Sequence, residues 1–172
     1  MTDYFSRDEF NKLVDSTYVD QQKSKEAIVD PIGTRLRALL MLMRWSGLAI
    51  RDAVTLERER LNENGELLLY RAKTGMPVFV KLPPDAAKAL REVPAGPKPN
   101  PRYFFWSGNG EKKSAVADWQ RAFRKLFDTA GLKKPDGTKK RCFPHMLRDT
   151  FAIELLLRVY SARSGCERER TR

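Results

Sequence analysis

PHMLRDTFA, at positions 144–152, is the most informative stretch of this 172-residue sequence. It places His145 and Arg148 three residues apart at the start of a predicted helix, so both side chains lie on one face, about 5–6 Å apart at Cβ. A helix N-terminus adds backbone N–H donors and a partial positive charge. This combination indicates a phosphate site with a proton-transfer group beside it. The spacing also occurs by chance, however, and a lone histidine is more often structural than catalytic.

Basic residues are concentrated in the same half of the chain. The net charge is +11, from 33 Lys and Arg against 22 Asp and Glu. Residues 112–172 hold 16 basic and 7 acidic side chains, whereas residues 1–111 hold 17 and 15. This asymmetry indicates a polyanionic partner, with nucleic acid first and an anionic membrane surface second. A solvated basic face is an equally good explanation of the charge alone.

Composition disfavours several classes of protein. No run approaches the ~20 apolar residues of a membrane span, and the N-terminus lacks the basic and apolar segments of a signal peptide. We therefore expect a cytoplasmic protein with no membrane partner. The two cysteines, Cys142 and Cys166, have no metal-ligand spacing and there is one histidine, so no metal or other cofactor is predicted.

Apolar periodicity predicts an α+β fold that is mainly α, with a small antiparallel sheet in the N-terminal half. Capping residues followed by apolar positions at helical spacing mark the helices, and a strand-like composition on both sides of a short turn marks a hairpin. The predicted helices cover about 6–18, 31–46, 83–93, 114–130 and 144–157. Gly47 is the predicted stop of the second helix, and a short helix follows it in which Ala53, Val54 and Leu56 pack inward. The predicted strands cover 66–71 and 77–82, and 20–30 and 132–141 are predicted loops.

Four further segments precede PHMLRDTFA in a fixed order. They are RWSGLAIRDAVTL (44–56), AKTG (72–75), VKLP (80–83) and YFF (103–105). The set resembles the catalytic domain of the tyrosine recombinases, or phage integrases, over roughly residues 5–157. PHMLRDTFA is similar to that family's His-x-Leu-Arg-[His/Asp]-Thr-Phe-Ala signature. The other segments resemble, in order, the segment of the family's first catalytic arginine, the hairpin of its catalytic lysine, the strand end that follows, and an apolar strand.

The resemblance implies an integrase-type catalytic fold and site-specific cleavage and rejoining of DNA strands. The implied partners are double-stranded DNA and other recombinase subunits. In the family's reaction, a tyrosine attacks a DNA phosphodiester and forms a 3′-phosphotyrosyl link with release of a 5′-hydroxyl. Fixed cations aimed at the non-bridging oxygens stabilise the charge of the phosphate without a metal.

The resemblance also implies a role for each charged residue. Arg51 and Arg148 are the two guanidiniums whose planar forks match phosphate oxygens. His145 is the proton-transfer group, and Lys73 is the general acid for the leaving 5′-hydroxyl. Asp52 orients the cluster. Without the resemblance, Lys73 would be an exposed turn lysine.

The first arginine departs from the family pattern. Ala49 occupies the position at which the family places it, and Arg51 lies two residues later. On a regular helix such a slip turns a side chain through ~200°. Arg51 therefore serves only if the segment is still a turn at that point. Arg44 is the substitute, unless it is a surface cation.

The nucleophile departs from the pattern as well. The family's tyrosine follows a Leu-Gly-His segment well beyond the position of Arg148, whereas Tyr160 is only twelve residues beyond it. No nucleophile is therefore predicted, and the domain over 1–157 is expected to be C-terminally truncated and catalytically incomplete. Residues 158–172 are predicted to be a disordered or aberrant tail. The alternatives are a non-catalytic DNA-binding module derived from a recombinase, and a decayed fragment.

Overall fold

A computed structural model describes residues 4–18 and 31–169, including their side chains except at 31, 32 and 162–169. The described part is mainly helical with one small antiparallel sheet, which confirms the predicted fold class. The loop predicted over 20–30 lies outside the described residues. The elements in chain order are α1 (Arg7–Ser16), α2 (Pro31–Ser46), α3 (Ile50–Val54), a single-turn 3-10 helix (Arg58–Arg60), β1 (Glu66–Tyr70), β2 (Pro77–Lys81), α4 (Pro84–Arg91), α5 (Lys112–Ala130) and α6 (His145–Glu169).

Helix α2 is the centre of the core. Its apolar residues occur on more than one side, and it packs against α3, α4, α5 and α6. Leu39, Leu40 and Leu42 are fully buried, and Leu36 and Met43 are nearly so. Every other helix that carries a candidate site residue is therefore placed relative to α2.

Helix α1 begins with a reciprocal cap, as its sequence predicts. The Glu9 backbone N–H donates to Ser6 Oγ at 3.2 Å, and the Ser6 backbone N–H donates to Glu9 Oε2 at 2.8 Å. Phe10 and Leu13 are buried on the inner face of this helix, which packs against α5.

Strands β1 and β2 form the predicted antiparallel hairpin, with Glu66 opposite Lys81 and Tyr70 opposite Pro77. The segment 103–105 is not a further strand, contrary to the prediction, because only Tyr103 makes a bridge, to Glu57. Its two phenylalanines are both buried although they are consecutive. In a strand with one buried face, alternating side chains would leave one of the two exposed.

Helix α6 extends to Glu169, past its predicted end near residue 157. Leu155, Leu156 and Leu157 are all exposed in it. Apolar periodicity indicates which face of a helix is buried. It therefore does not predict where a helix ends when its last segment has few packing contacts. The predicted domain boundary at residue 157 stays a prediction.

Gly47 lets the end of α2 lie directly against α6. Its φ is +62°, and a Cβ built on it would lie 2.5 Å from Cδ1 of Phe151. Glycine accepts both the left-handed conformation and the contact because it has no Cβ. The residue predicted as the stop signal of α2 is therefore also a packing requirement.

We predict that Gly47→Ala lowers the free energy of unfolding by about 2–4 kcal/mol, through left-handed strain and the clash with Phe151 together. Gly75→Ala is the matched control: its φ is +65° and a Cβ added there would meet nothing within 4 Å. That variant should lose only about 1–2 kcal/mol. Urea denaturation measures both, and equal losses would contradict the packing role of Gly47.

Candidate functional site

The first turn of α6 carries His145 and Arg148, which we call the α6 pair. The His145 side chain is 59% exposed, and its Nε2 atom lies 3.6 Å from Asp149 Oδ1. Arg148 is half-buried, and its guanidinium has no hydrogen-bond or ion-pair partner among the described residues. An exposed imidazole and an unpaired guanidinium on one turn are available to an oxyanion.

Backbone donors contribute less here than the sequence suggested. The N–H groups of Met146 and Leu147 donate to the carbonyls of Phe143 and Pro144, both at 3.1 Å. These bonds close the turn before the helix and use donors that a phosphate would otherwise reach. Oxyanion binding at this point therefore depends mainly on the two side chains.

The opposite face of the same turn holds it in the core. Met146, Leu147 and Thr150 are fully buried. Thr150 Oγ1 donates to the Met146 carbonyl at 2.6 Å and accepts the Phe5 backbone N–H at 2.9 Å. Together with the Phe151–Gly47 contact, these interactions fix which way the α6 pair points.

Asp52 connects α3 to the tip of the hairpin, residues 71–76. Its Oδ1 atom accepts the Ala72 backbone N–H at 3.1 Å. Inside the tip, Arg71 N–H donates to the Met76 carbonyl at 2.9 Å and Gly75 N–H to the Arg71 carbonyl at 2.8 Å. Lys73 lies exposed in this closed turn. Asp52 therefore contacts the turn that carries Lys73.

Arg51 is the second residue of α3, and its side chain is exposed. Ala49, before the helix, is extended, with φ −67° and ψ 150°. The two positions therefore do not lie on one regular helix, and the ~200° rotation expected for a helical slip does not apply. In the described part of the chain, no hydrogen bond or ion pair links Arg51 or Lys73 to the α6 pair.

Arg44 is not a surface cation, contrary to that alternative from the sequence. It is 3% exposed, and its guanidinium forms an ion pair with Glu154 on α6. Its Cζ lies 4.5 Å from the centroid of Trp45 and 5.4 Å from that of Phe10. With its charge already compensated inside the protein, Arg44 is unsuited to replace a phosphate-binding arginine. No local pattern indicates this pairing, since Glu154 lies 110 positions away.

Part of the basic C-terminal half is also used internally. Lys140 Nζ binds both carboxylate oxygens of Glu9, at 2.8 and 2.9 Å, and the Tyr4 carbonyl at 2.7 Å. Lys139 pairs with Asp128 at 2.7 Å, and this carboxylate raises the pKa of the lysine. The charge that faces a polyanion is therefore smaller than the count of lysines and arginines indicates.

Tyr160 lies on α6 with the α6 pair, and its side chain is 78% exposed. Twelve residues of helix separate it from Arg148, about 18 Å along the axis. Tyr160 therefore lies more than three turns of α6 away from the α6 pair. Among residues 4–18 and 31–169, no group of His, Cys, Asp and Glu is placed to hold a metal ion, and no helix is long and apolar enough to cross a membrane.

Comparison with known proteins assigns the chain to a family. The model of the phage integrase family matches residues 5–164. The chain belongs to the phage integrase family. The tyrosine recombinase XerD of Corynebacterium glutamicum is 30% identical over 134 residues, which cover 75% of this chain and 42% of that protein.

Solved structures of tyrosine recombinases share the fold. The XerA recombinase matches 91% of this chain and 51% of its own, with a TM-score of 0.62 and 21% identity. The XerH recombinase, solved as a post-cleavage complex with a palindromic difH substrate, matches 91% of this chain and 42% of its own, with a TM-score of 0.66 and 20% identity. The chain thus spans about half or less of the length of these relatives.

We predict that Asp52→Ala frees the hairpin tip, because the Ala72 N–H loses its acceptor. Hydrogen exchange at the Ala72 amide should become about fivefold faster, the effect of losing roughly 1 kcal/mol. Asp52→Asn is the control, since its carbonyl oxygen can still accept this bond. Unchanged exchange in the alanine variant, or equal acceleration in both, would show that the bond does not hold the tip.

Proposed function

We propose that this chain binds double-stranded DNA and activates a phosphodiester for the strand cleavage and rejoining of site-specific recombination. The observation that carries the proposal is the α6 pair: an unpaired guanidinium and an exposed imidazole on one helical turn whose inner face is fixed in the core. Family membership and the DNA complexes of XerH and of lambda integrase support DNA as the substrate.

The proposed chemistry divides between the α6 pair and the residues of α3 and the hairpin tip. Arg148 and Arg51 hold the non-bridging oxygens, since guanidiniums stay charged and match them geometrically. His145 donates to the phosphate and transfers a proton. Lys73 protonates the leaving 5′-oxygen from the hairpin tip, and Asp52 is a positioning residue that holds this tip. No step needs a metal, because the cations are side chains.

We further propose that the nucleophile is not among the tyrosines of this chain. The separation of Tyr160 from Arg148 along α6 supports this. Partner recombinase subunits on the same DNA are part of the proposal, since lambda integrase has been solved as a tetramer on a Holliday junction. The cytoplasm is the proposed location because the proposed substrate is DNA.

A DNA-binding measurement tests the role of Arg148. We expect Arg148→Gln to weaken binding to a random-sequence duplex and to lower the slope of log K against log salt by about one, the loss of one phosphate contact. Arg102→Gln is the control, because Glu57 already binds that guanidinium at 2.7 Å and raises its pKa. Fluorescence anisotropy in about 50 to 200 mM KCl gives both slopes. Equal slopes in wild type and Arg148→Gln would show that Arg148 does not contact a DNA phosphate.

A non-catalytic DNA-binding module is the second candidate. It is favoured by Ala49 in the position of the first arginine and by the distance of Tyr160 from the α6 pair. Both candidates predict salt-sensitive binding to DNA, so binding alone does not separate them. The two candidates are separated by a test of whether the protein activates a phosphate for attack by an external nucleophile.

We predict that this chain promotes cleavage of DNA by hydrogen peroxide as an external nucleophile. The substrate is a pool of duplexes that each contain a bridging 5′-phosphorothiolate. The peroxide oxygen attacks phosphorus and the thiolate leaves, so Lys73 is not required. Arg148→Gln should slow cleavage by about 10²–10³, as for other lost oxyanion donors. Absence of cleavage in the wild type would favour the binding module.

A denaturing gel of the same reactions without peroxide tests the nucleophile. We expect no covalent protein–DNA adduct in the wild type. A robust adduct that disappears in Tyr160→Phe would overturn the proposal that the chain supplies no nucleophile.

A further inference from the structure

A cavity of about 530 Å³ lies on the other side of α2 from Arg44 and Glu154, beside the Pro/Gly-rich segment 94–101. Its volume is in the range of small-molecule sites. Three cations and three aromatic side chains line it, without a carboxylate: Arg35, Arg58, Lys98, Tyr103, Phe104 and Trp106. We call it the Arg35 pocket. Neither the α6 pair nor the hairpin tip belongs to its wall.

Arg35 is fixed in this wall by neutral groups. It is 9% exposed. Its guanidinium donates to the Pro94 carbonyl at 2.6 Å and to the Phe105 carbonyl at 3.3 Å. Gly96 packs against it so closely that a Cβ there would lie 3.1 Å from Cζ. The guanidinium thus contacts two carbonyls and the ring of Trp119, 5.8 Å from Cζ, and has no carboxylate counter-ion among the described residues.

Arg58 adds a second positive charge to the same wall. Its Nε donates to the Tyr103 carbonyl at 3.2 Å, and its Cζ lies 4.8 Å from the centroid of Phe104. Burial and, next, the charge of Arg58 both lower the pKa of Arg35 below its ordinary value. An anion bound between two like charges at the edge of a cavity offsets their mutual repulsion.

We propose that the Arg35 pocket binds a nucleotide unit, with its phosphate on the two arginines and its base on the aromatic wall. Guanidinium forks match phosphate oxygens, and Lys98 adds a mobile cation at the rim. Tyr103 and Trp106, which contact each other with ring centroids 4.8 Å apart, form the aromatic wall against which the base packs. This site does not depend on the proposed recombination chemistry.

Titration with deoxyadenosine 5′-monophosphate, followed by NMR of the indole N–H signals, tests the proposal. The chain has three tryptophans. Trp106 lines the pocket and its indole N–H is buried without an acceptor among the described residues, whereas Trp45 lies against Arg44. We expect saturable shifts at Trp106, assigned with Trp106→Phe, and none at Trp45.

Variants separate this pocket from general attraction to a basic protein. Arg58→Gln should weaken the nucleotide about tenfold, the effect of one charge-assisted hydrogen bond. Arg121→Gln, with the same charge change at an exposed position of α5, should leave the affinity unchanged. Deoxyadenosine without phosphate should bind about tenfold more weakly. If Arg58→Gln does not fold, Lys98→Gln, an exposed position, replaces it with an expected loss of about threefold.

The proposal is overturned by the absence of saturable shifts up to about 10 mM nucleotide, by equal effects of Arg58→Gln and Arg121→Gln, or by equal binding of deoxyadenosine. Competition then identifies the source of the nucleotide unit. Displacement by a short single-stranded oligonucleotide supports a DNA nucleotide in the pocket, and its failure to displace supports a free nucleotide.

Discussion

The close approach of α2 and α6 at Gly47 is the constraint on which the candidate site depends. A side chain at position 47 would overlap the ring of Phe151, so the two helices can pack at this distance only around a glycine. The contact lies one turn from Arg148 and two residues before Ala49, where the chain leaves α2 for α3. This one contact therefore sets the positions of α6, which carries the α6 pair, and of α3, which carries Arg51 and Asp52, relative to the core.

Local sequence patterns predicted those parts of the fold that depend on local physics. The capping box at Ser6 and Glu9, the apolar face of α2 and the turn between β1 and β2 are all decided by residues a few positions apart. Helix ends without a breaker and segments stabilised by tertiary contacts were not predictable in this way. The extension of α6 and the irregular path of 103–105 are examples.

For the site, the family resemblance predicted Arg51, Asp52, Lys73, His145 and Arg148 as candidates, and the structure adds the contacts that each of them makes. The bond from Asp52 to Ala72 spans 20 positions, and that from Thr150 to Phe5 spans 145. The family pattern led to the expectation that Asp52 orients the cluster, and its observed bond is with the hairpin tip that carries Lys73. Arg44 and Lys140 show why the charge count overestimates the cations available to a polyanion. A count of charges cannot distinguish a cation paired with a carboxylate from one that faces solvent.

The bond between Asp52 and the Ala72 N–H also has a mechanical consequence. Arg51 and Asp52 are neighbours in a five-residue helix, so a displacement of the hairpin tip is transmitted through one hydrogen bond to the backbone that carries Arg51. A tip that moves while this bond is intact turns α3 with it, and a tip that moves alone must first break a bond with a net value of about 1 kcal/mol. The Asp52 carboxylate therefore couples the turn that carries Lys73 to the helix that carries Arg51.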